Sequence, residues 1–242
     1  MMVKRLGACC VLLVIAAACT SGGGSNARSS ASTYHPKIAP TDFSATVDNP
    51  WFPLQPGSTR VSTGVKDGKA ARDVYTVTSD VKVIDGVPTR IVRDDLFLDG
   101  RLEETTIDYY TQYKTGTVWY FGEDTKTLDA NGKVTGTAGS WRAGVDGAQP
   151  GVFMEANPVR GHQFRQEYLK GQAEDHYQVL NLTSSVTVPY GTFHDAILTK
   201  EWTPLEPDVL DHKYYVRGVG QVQEISVKGP TEGLDLVEFH TP

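Results

Sequence analysis

The stretch "PTRIVRDDLFLDGRLEETTIDYYTQY", residues Pro88–Tyr113, contains the pattern that decides the fold. Two segments rich in β-branched and aromatic residues, Pro88–Leu98 and Glu104–Tyr113, flank the pair Asp99-Gly100. Such residues favour extended strands, and an Asp-Gly pair tolerates the positive φ that a two-residue type I′ turn requires. The stretch therefore predicts a β-hairpin.

The same turn signature recurs along the chain, at Asp67-Gly68, Asp85-Gly86 and Asn131-Gly132. The segments around these turns have strand-forming composition, and no apolar pattern of helical period accompanies them. The further strands that we expect are Asp73–Asp80, Thr117–Glu123, Gln163–Leu180, Ser185–Pro189, Ala196–Trp202, His212–Val216, Gln221–Lys228 and Leu234–Phe239. The sequence therefore predicts an all-β fold, a single antiparallel domain of residues 42–242 with few or no long helices. Two architectures fit it equally: a strongly curved sheet or half-barrel, and a two-sheet sandwich.

The hairpin of residues 88–113 has one local conflict. If Asp99-Gly100 closes a two-residue turn, Asp95 lies opposite Glu104. Like charges directly opposite each other destabilise a sheet. We therefore expect a β-bulge nearby, or a longer loop.

One strand is expected to be covered on both faces. The run Val118–Phe121 is apolar at both parities, which is typical of a strand without a solvent-facing side. The segment Gly139–Gly161 is rich in Gly and Pro and has the composition of a long loop. Loops of such length are often lids or binding loops, and we expect this one to cover the face that carries Trp119.

The N-terminus has the pattern of an export signal. Lys4 and Arg5 precede the apolar run Leu6–Ala18. This run is shorter than the roughly 20 residues that a membrane-spanning helix needs. We therefore expect the segment to be removed after export.

The end of that run, Ala16-Ala17-Ala18-Cys19, resembles the lipobox of bacterial lipoproteins. The resemblance implies cleavage between Ala18 and Cys19 and a diacylglycerol on the Cys19 sulfur. The alternative is an ordinary signal-peptide cut. All three cysteines lie within the first 19 residues, so the exported domain would contain no other thiol. Residues 19–41 after the cut are rich in Ser, Gly, Ala and Asn and predict a disordered tether.

The charge of the chain excludes one class of partner. It has 23 Lys and Arg against 29 Asp and Glu, and without Lys4 and Arg5 the formal charge becomes 21 − 29 = −8. A negative surface repels phosphate, so we do not expect nucleic acid as a partner. The expected contact with the membrane is the acylated Cys19, which places the protein in the cell envelope on the extracytoplasmic side.

Several segments resemble a group of bacterial secreted and lipid-anchored proteins that has no established activity. The resemblance covers nearly all of the chain after the tether and implies a β-rich envelope protein. It rests on "NPWFPLQPGS" (Asn49–Ser58), "VWYFGED" (Val118–Asp124), "GSWRAGVDGAQPGVFMEANP" (Gly139–Pro158), "RQEYLKGQAEDHYQV" (Arg165–Val179) and "VPYGTFHDAILTKEWTPLEP" (Val188–Pro207).

Strong catalytic and cofactor motifs are missing from the sequence. It has no phosphate-binding loop, no Gly-x-Ser-x-Gly elbow, no His-Glu-x-x-His, no Cys-x-x-Cys and no calcium loop. We therefore predict no cofactor, no metal site and no catalytic residue with a recognisable motif.

Polar candidates lie in two segments. In "QAEDHYQV", Gln172–Val179, strand alternation places Asp175 on the apolar, inward side. A buried carboxylate needs hydrogen bonds or a cation, so Asp175 either fixes the strand register or contacts a ligand. In "EWTPLEPDVLDHKYY", Glu201 and His212 lie near one turn. They are either solvated or salt-bridged structural residues, metal ligands, or an acid–base pair.

Three tryptophans, Trp119, Trp141 and Trp202, are candidate ligand contacts for a lipid tail or a sugar ring, and each fits a core position equally well. Because no catalytic constellation is evident, the sequence favours a non-enzymatic binding or scaffold module. A small amphiphile and an envelope protein are the candidate partners. The alternative is an extracytoplasmic hydrolase with a carboxylate/His site. The sequence leaves the oligomeric state open.

Overall fold

The computed structural model describes residues 34–242. Between these residues there is no α-helix, which confirms the all-β prediction. Ala18, Cys19 and the first part of the predicted tether lie outside the described residues. The elements are one 3₁₀ helix (Pro40–Asp42) and the strands β1 (Phe43–Ser44), β2 (Thr59–Lys66), β3 (Lys69–Ile84), β4 (Val87–Leu98), β5 (Arg101–Tyr113), β6 (Val118–Leu128), β7 (Val134–Gly136), β8 (Trp141–Arg142), β9 (Gln149–Met154), β10 (Gln163–Arg165), β11 (Glu167–Tyr168), β12 (His176–Val188), β13 (Gly191–Trp202), β14 (Leu210–Val216), β15 (Gly220–Lys228) and β16 (Gly233–His240).

Three of the predicted Asp-Gly turns join consecutive strands, β2 to β3, β3 to β4 and β4 to β5. Their aspartates, Asp67, Asp85 and Asp99, have φ values of 51°, 49° and 50°, and each following glycine also has positive φ. This is the backbone of a type I′ turn. Asn131-Gly132 differs, because only its glycine has positive φ and it lies in a longer turn between β6 and β7.

The expected irregularity in the hairpin of β4 and β5 is present. The register shifts between Leu96 and Phe97, so that Leu96 lies opposite Glu104 and Asp95 lies opposite Thr105. The Thr105 hydroxyl donates a hydrogen bond to Asp95 Oδ1 at 2.6 Å. The bulge therefore separates the two carboxylates, as the charge argument predicted.

Two antiparallel meanders, β2 to β6 and β12 to β16, form one continuous sheet. They are joined by β16, which pairs with β2 along its whole length. A Cβ atom on Gly64 would lie 2.0 Å from the carbonyl oxygen of Gly233. The early and late parts of the chain thus meet in the middle of the sheet, at a distance that only glycine allows.

The two ends of this sheet are bridged by residues 163–168, which we call the strap. The first half of the strap, β10, pairs with β12, and the second half, β11, pairs with β9. Only Gln166 separates the two halves. A Cβ atom on Gly151 of β9 would lie 2.3 Å from the carbonyl carbon and oxygen of Gln166. The sheet therefore curves into a nearly closed barrel, which decides against the two-sheet sandwich.

The aromatic run of β6 is covered on both faces, as predicted. On the inner face, the ring of Tyr120 stacks on Tyr110 with centroids 4.7 Å apart. On the outer face, Trp119 and Phe121 pack against Phe43 of β1, with centroids 6.0 Å and 5.8 Å apart. The outer cover is thus the segment before β2.

Two expectations about the second half of the chain were wrong. Segment 139–161 is not a lid over Trp119, since it contains β8 and β9, which pair with β6 and extend the sheet. Residues Gln163–Leu180 are not one strand, because the chain reverses between the strap and β12. The reversal uses Gly171, whose φ is 75°, in a turn closed by pairing of Leu169 with Ala173.

The chain before β2 packs against the barrel. Phe52 is 2% exposed and enters the barrel interior, where its ring centroid lies 4.4 Å from that of Phe153 and 5.2 Å from that of Tyr110. The first described residue, Tyr34, already contacts the barrel, because its hydroxyl donates a hydrogen bond to the carbonyl oxygen of Pro150 at 3.1 Å. The described chain is therefore attached to the domain ahead of residue 42, where the sequence places its start.

Candidate functional site

The barrel contains a partly open cavity of about 90 Å³, which has room for several water molecules. Acidic side chains predominate among its charged lining residues. The acids are Asp73, Asp94, Glu104, Asp108, Glu123 and Glu224, and the bases are Arg60 and Lys213. We call this cavity and its lining the chamber.

Four of the acids form a belt across neighbouring strands, β3 to β6. Asp108 and Glu123 lie directly opposite each other. Asp94 lies opposite Tyr75, beside Asp73 on the same strand pair. Because like charges on adjacent strands repel, this belt requires compensation by hydrogen bonds, protons or cations.

One compensating group is the Tyr120 hydroxyl. It donates a hydrogen bond to Asp108 Oδ1 at 2.5 Å and lies 3.3 Å from Glu123 Oε2. Burial, followed by the negative charges of Asp108 and Glu123, holds the pKa of Tyr120 well above its ordinary value. The tyrosine therefore stays protonated, and its single hydrogen is donated mainly to Asp108 and is shared only weakly with Glu123.

A second compensating device is a shared proton. Burial raises the pKa of Asp73, and burial together with the charge of Asp73 raises that of Asp94 well above its ordinary value. The side chains of the two residues are hydrogen-bonded to each other. Burial and the repulsion between the two carboxylates thus favour a proton between them, with Asp94 as the donor.

The third device is the guanidinium of Arg60 on β2. It lies 4.2 Å from the ring centroid of Tyr75 and 5.5 Å from that of Phe52, within the range of a cation–π contact. It donates a hydrogen bond to the carbonyl oxygen of Val219 at 3.1 Å, and its charge lowers the pKa of Asp73. The chamber thus holds a planar cation between aromatic rings and a carboxyl group.

On the opposite side, Lys213 of β14 forms a buried ion-pair network. Its Nζ lies 2.9 Å from Glu201 Oε2 and 3.5 Å from Glu224 Oε2. Although burial acts to lower it, the charges of Glu201 and Glu224 raise the pKa of Lys213 well above its ordinary value. Burial nevertheless raises the pKa of Glu224 to about 7. One lysine therefore does not fully compensate the two glutamates.

A further lysine, Lys66, lies at the end of β2 and is 0% exposed. Its Nζ has no hydrogen-bond partner within residues 34–242. Burial lowers its pKa, an effect opposed by the charges of Glu232, Glu224 and Glu104. Two of these, Glu224 and Glu104, line the chamber, so the electrostatics of Lys66 and of the chamber are linked.

The structure places the three candidate tryptophans in different surroundings. Trp119 lies on the outer face under Phe43. Trp141 is 4% exposed and packs edge-on against Tyr120, with centroids 5.4 Å apart, so that it supports the chamber wall from behind. Trp202 is half-buried and stacks on His176, with centroids 5.4 Å apart.

The polar candidates are not brought together. Glu201 lies opposite Asp211, whereas His212 lies opposite Lys200. Neighbouring positions on a strand point to opposite faces, so Glu201 faces the barrel interior and His212 faces outwards. Asp175 precedes β12, where its carbonyl oxygen accepts a hydrogen bond from the Gln166 amide at 2.8 Å. Asp175 therefore lies beside the strap.

The sequence analysis missed the acids of the chamber, although a signal for them was present. Asp73, Asp94 and Asp108 each alternate with apolar or aromatic residues on the same strand face, such as Tyr75 and Tyr110. The alternation that drew attention to Asp175 recurs on these three strands. A carboxylate repeated on the inward face indicates a polar interior.

Within residues 34–242, no group of three or more His, Cys, Asp or Glu side chains has the arrangement needed to hold a metal ion. The same residues include no helix long and apolar enough to cross a membrane.

Fold and site together define this chain as a nearly closed antiparallel β-barrel with an acidic, polar chamber. No protein-family model and no curated protein matches it. Two solved structures are similar in fold. One is a Bacteroides fragilis protein with a YmcC-like fold that is inferred to be exported, at 15% identity and a TM-score of 0.46, over 79% of this chain and 99% of that chain. The other is an inferred lipoprotein of Parabacteroides distasonis, at 12% identity and a TM-score of 0.43, over 78% of this chain and 98% of that chain.

Proposed function

We propose that the protein is a cell-envelope lipoprotein whose barrel is a non-enzymatic binding module for a small, positively charged organic ligand. The export pattern before Cys19 and the lipobox-like residues 16–19 support the lipid anchor. An acylated Cys19 followed by a tether would hold the barrel on the extracytoplasmic side of the membrane.

The observation that carries the binding function is the composition of the chamber. Six acidic and two basic side chains line one cavity of about 90 Å³. Removing carboxylates from water is costly unless a cation or a hydrogen-bond donor replaces the water. A small ammonium or guanidinium group would supply both, and would take the place of the single proton that burial favours between Asp73 and Asp94.

Arg60 indicates the chemistry that the chamber accepts. Its guanidinium contacts the faces of Tyr75 and Phe52 and acts electrostatically on Asp73. The belt on β4 to β6 offers the same combination, with Asp94 and Asp108 beside the stacked rings of Tyr110 and Tyr120. A fatty chain would instead displace water from these carboxyl groups, so the chamber favours a polar cation over an amphiphile.

The placement of the polar candidates supports binding over hydrolysis. Glu201 is engaged by Lys213 at 2.9 Å and accepts a hydrogen bond from the Tyr215 hydroxyl at 3.0 Å. His212, the base that a hydrolytic site would need, faces the other side of the sheet. Neither group is arranged to activate a water molecule with the other.

Isothermal titration calorimetry with methylguanidinium chloride tests this proposal, with N-methylacetamide as the neutral probe and sodium acetate as the anionic one. We expect saturable binding of methylguanidinium alone, with release of protons shown by titrations in buffers of different ionisation enthalpy. The Asp94→Asn variant should bind at least about tenfold more weakly, since one charge-assisted hydrogen bond contributes roughly 1.5–3 kcal/mol. Asp80→Asn, at an exposed position of β3, is the matched control. Equal binding of the neutral probe, or no binding of the cation, would refute the proposed ligand class.

A further inference from the structure

Tyr34, the first described residue, lies where the strap closes the barrel. The hydroxyl of Tyr34 donates a hydrogen bond to Pro150 of β9 at 3.1 Å. Its ring lies 5.9 Å from that of Tyr168 in β11, at an angle of 71°. The guanidinium of Arg165, in the same strap, lies 5.6 Å from the Tyr34 centroid. Tyr34 therefore joins the two sides of the line along which β9 and β11 meet.

The strap is held more firmly on its other side. There β10 pairs with β12 over three residues, and Phe164 packs against the buried Tyr177 with centroids 5.7 Å apart. Towards β9, only the two residues of β11 are paired. If the barrel opens, the strap therefore stays with β12 and separates from β9.

Two glycines flank the strap, Gly161 and Gly171, with φ values of 89° and 75°. The Gly161 amide donates a hydrogen bond to the carbonyl oxygen of Val179 in β12 at 2.8 Å, so this end moves with β12. The Gly171 amide donates one to Glu174 Oε1 at 2.8 Å. Rotation of the backbone at Gly171, where glycine tolerates a wide range of φ, therefore costs one side-chain hydrogen bond.

The strap lies behind the chamber wall, because β11 pairs with β9 and Phe153 of β9 lines the chamber. Glu167 of β11 is 1% exposed, and its charge acts on Tyr120, which lines the chamber. Movement of β11 away from β9 would therefore open a path from solvent to the acids of β6.

From these observations we propose that the strap is the gate of the chamber, that it opens along the line between β9 and β11, and that Tyr34 is the latch that keeps it closed. That the opening admits a ligand to the chamber rests on the proposed function, whereas the opening of the strap itself does not. Tyr34 is 15 positions after Cys19 (34 − 19 = 15).

Hydrogen–deuterium exchange of the Tyr34→Ala variant tests the gate without any ligand. We expect the amides of residues 149, 151, 152 and 166–169 to exchange about tenfold faster than in the unaltered protein, which corresponds to the loss of one hydrogen bond and one aromatic contact. Amides of β2 to β4 should keep their rates. Tyr34→Phe, which loses only the hydroxyl, should give a smaller increase. The matched control is Tyr190→Ala, which removes an exposed tyrosine in the turn between β12 and β13.

Unchanged exchange along the line between β9 and β11, or an equal increase over the whole barrel, would refute the proposal that Tyr34 keeps the strap closed. A second measurement connects the gate to the chamber: the association rate of methylguanidinium should rise in Tyr34→Ala by the same factor as the exchange rate. Faster exchange without faster association would show that the opening does not lead to the chamber. If exchange is faster but the protein binds no cation, the proposed opening of the strap is supported and only the proposed function is refuted.

Discussion

Replacing Glu224 by glutamine should stabilise the protein, and only at neutral to alkaline pH. Glu224 is buried on β15, 3.5 Å from the Lys213 ammonium. Its pKa is raised from 4.5 to about 7 by burial, against the attraction of Lys213. A glutamine has nearly the same shape as the protonated acid and cannot ionise, so the comparison isolates the charge.

The sign follows from proton linkage. Between pH 4.5 and about 7, the folded protein keeps the Glu224 proton that the unfolded chain has lost, so the stability of the unaltered protein falls as the pH rises. A shift of this size corresponds to about 3 kcal/mol, since one pKa unit is about 1.4 kcal/mol. Above pH 7 the folded protein bears the whole free-energy cost of the ionised, buried Glu224, and Glu224→Gln should then be more stable by up to about 3 kcal/mol. Near pH 4.5 the two proteins should be equally stable.

Urea denaturation followed by tryptophan fluorescence at pH 4.5, 6 and 8 measures this difference. The control is Glu238→Gln, at an exposed position of β16, which should change the free energy of unfolding by less than about 0.5 kcal/mol at every pH. A difference between Glu224→Gln and the unaltered protein that does not depend on pH would refute the reasoning. So would a loss of stability at pH 8, because it would show that Lys213 fully compensates the buried charge.

Three further changes probe the other parts of the structure. Lys213→Met should lower the free energy of unfolding by about 3–5 kcal/mol at pH 8, because it leaves the buried Glu201 without its cation, and the loss should shrink at pH 4.5; a pH-independent loss would contradict this. Gly151→Ala should cost about 1–3 kcal/mol by overpacking against the Gln166 backbone and should speed hydrogen exchange in the strap first, whereas uniform destabilisation would contradict the tight approach there. Cys19→Ala should move the protein from the detergent-rich to the aqueous phase of a Triton X-114 extraction, since an acyl chain supplies about 0.8 kcal/mol for each buried methylene; unchanged partitioning would refute the lipid anchor.

Local features of the fold could be predicted from the sequence because they depend on few residues. The Asp-Gly turns at Asp85 and Asp99 are required by backbone conformation alone. The bulge in the β4–β5 hairpin follows from the repulsion between Asp95 and Glu104, and the two-sided cover of β6 follows from its uninterrupted apolar run. Each of these signals lies within a short window of the chain.

Closure of the barrel could not be predicted in this way. Pairing of β16 with β2, and of the strap with both β12 and β9, joins segments far apart in sequence, and no periodicity specifies such partners. The turn at Gly171 also escaped notice, because the residues around it fit one continuous strand. Without the closed barrel, the acids on the inner faces could not be recognised as a shared site.

The candidate site was predicted only in part. Glu201 does face the interior, but its place in the Lys213 network depends on the register of three strands. Trp141 lies behind the chamber wall because β8 pairs with the middle of β6. Trp202 and His212 lie on the outer face. The sequence could name the kinds of side chain involved, whereas their convergence is a property of the closed sheet.

The pairing of β2 with β16 also affects when the protein can fold. The central seam of the sheet needs a strand from each end of the domain, so a growing chain cannot complete its barrel while the last strand is still unsynthesised. Strands that must wait for distant partners fold slowly. Folding of this barrel is therefore completed late, after strands from both parts of the chain are available to pair.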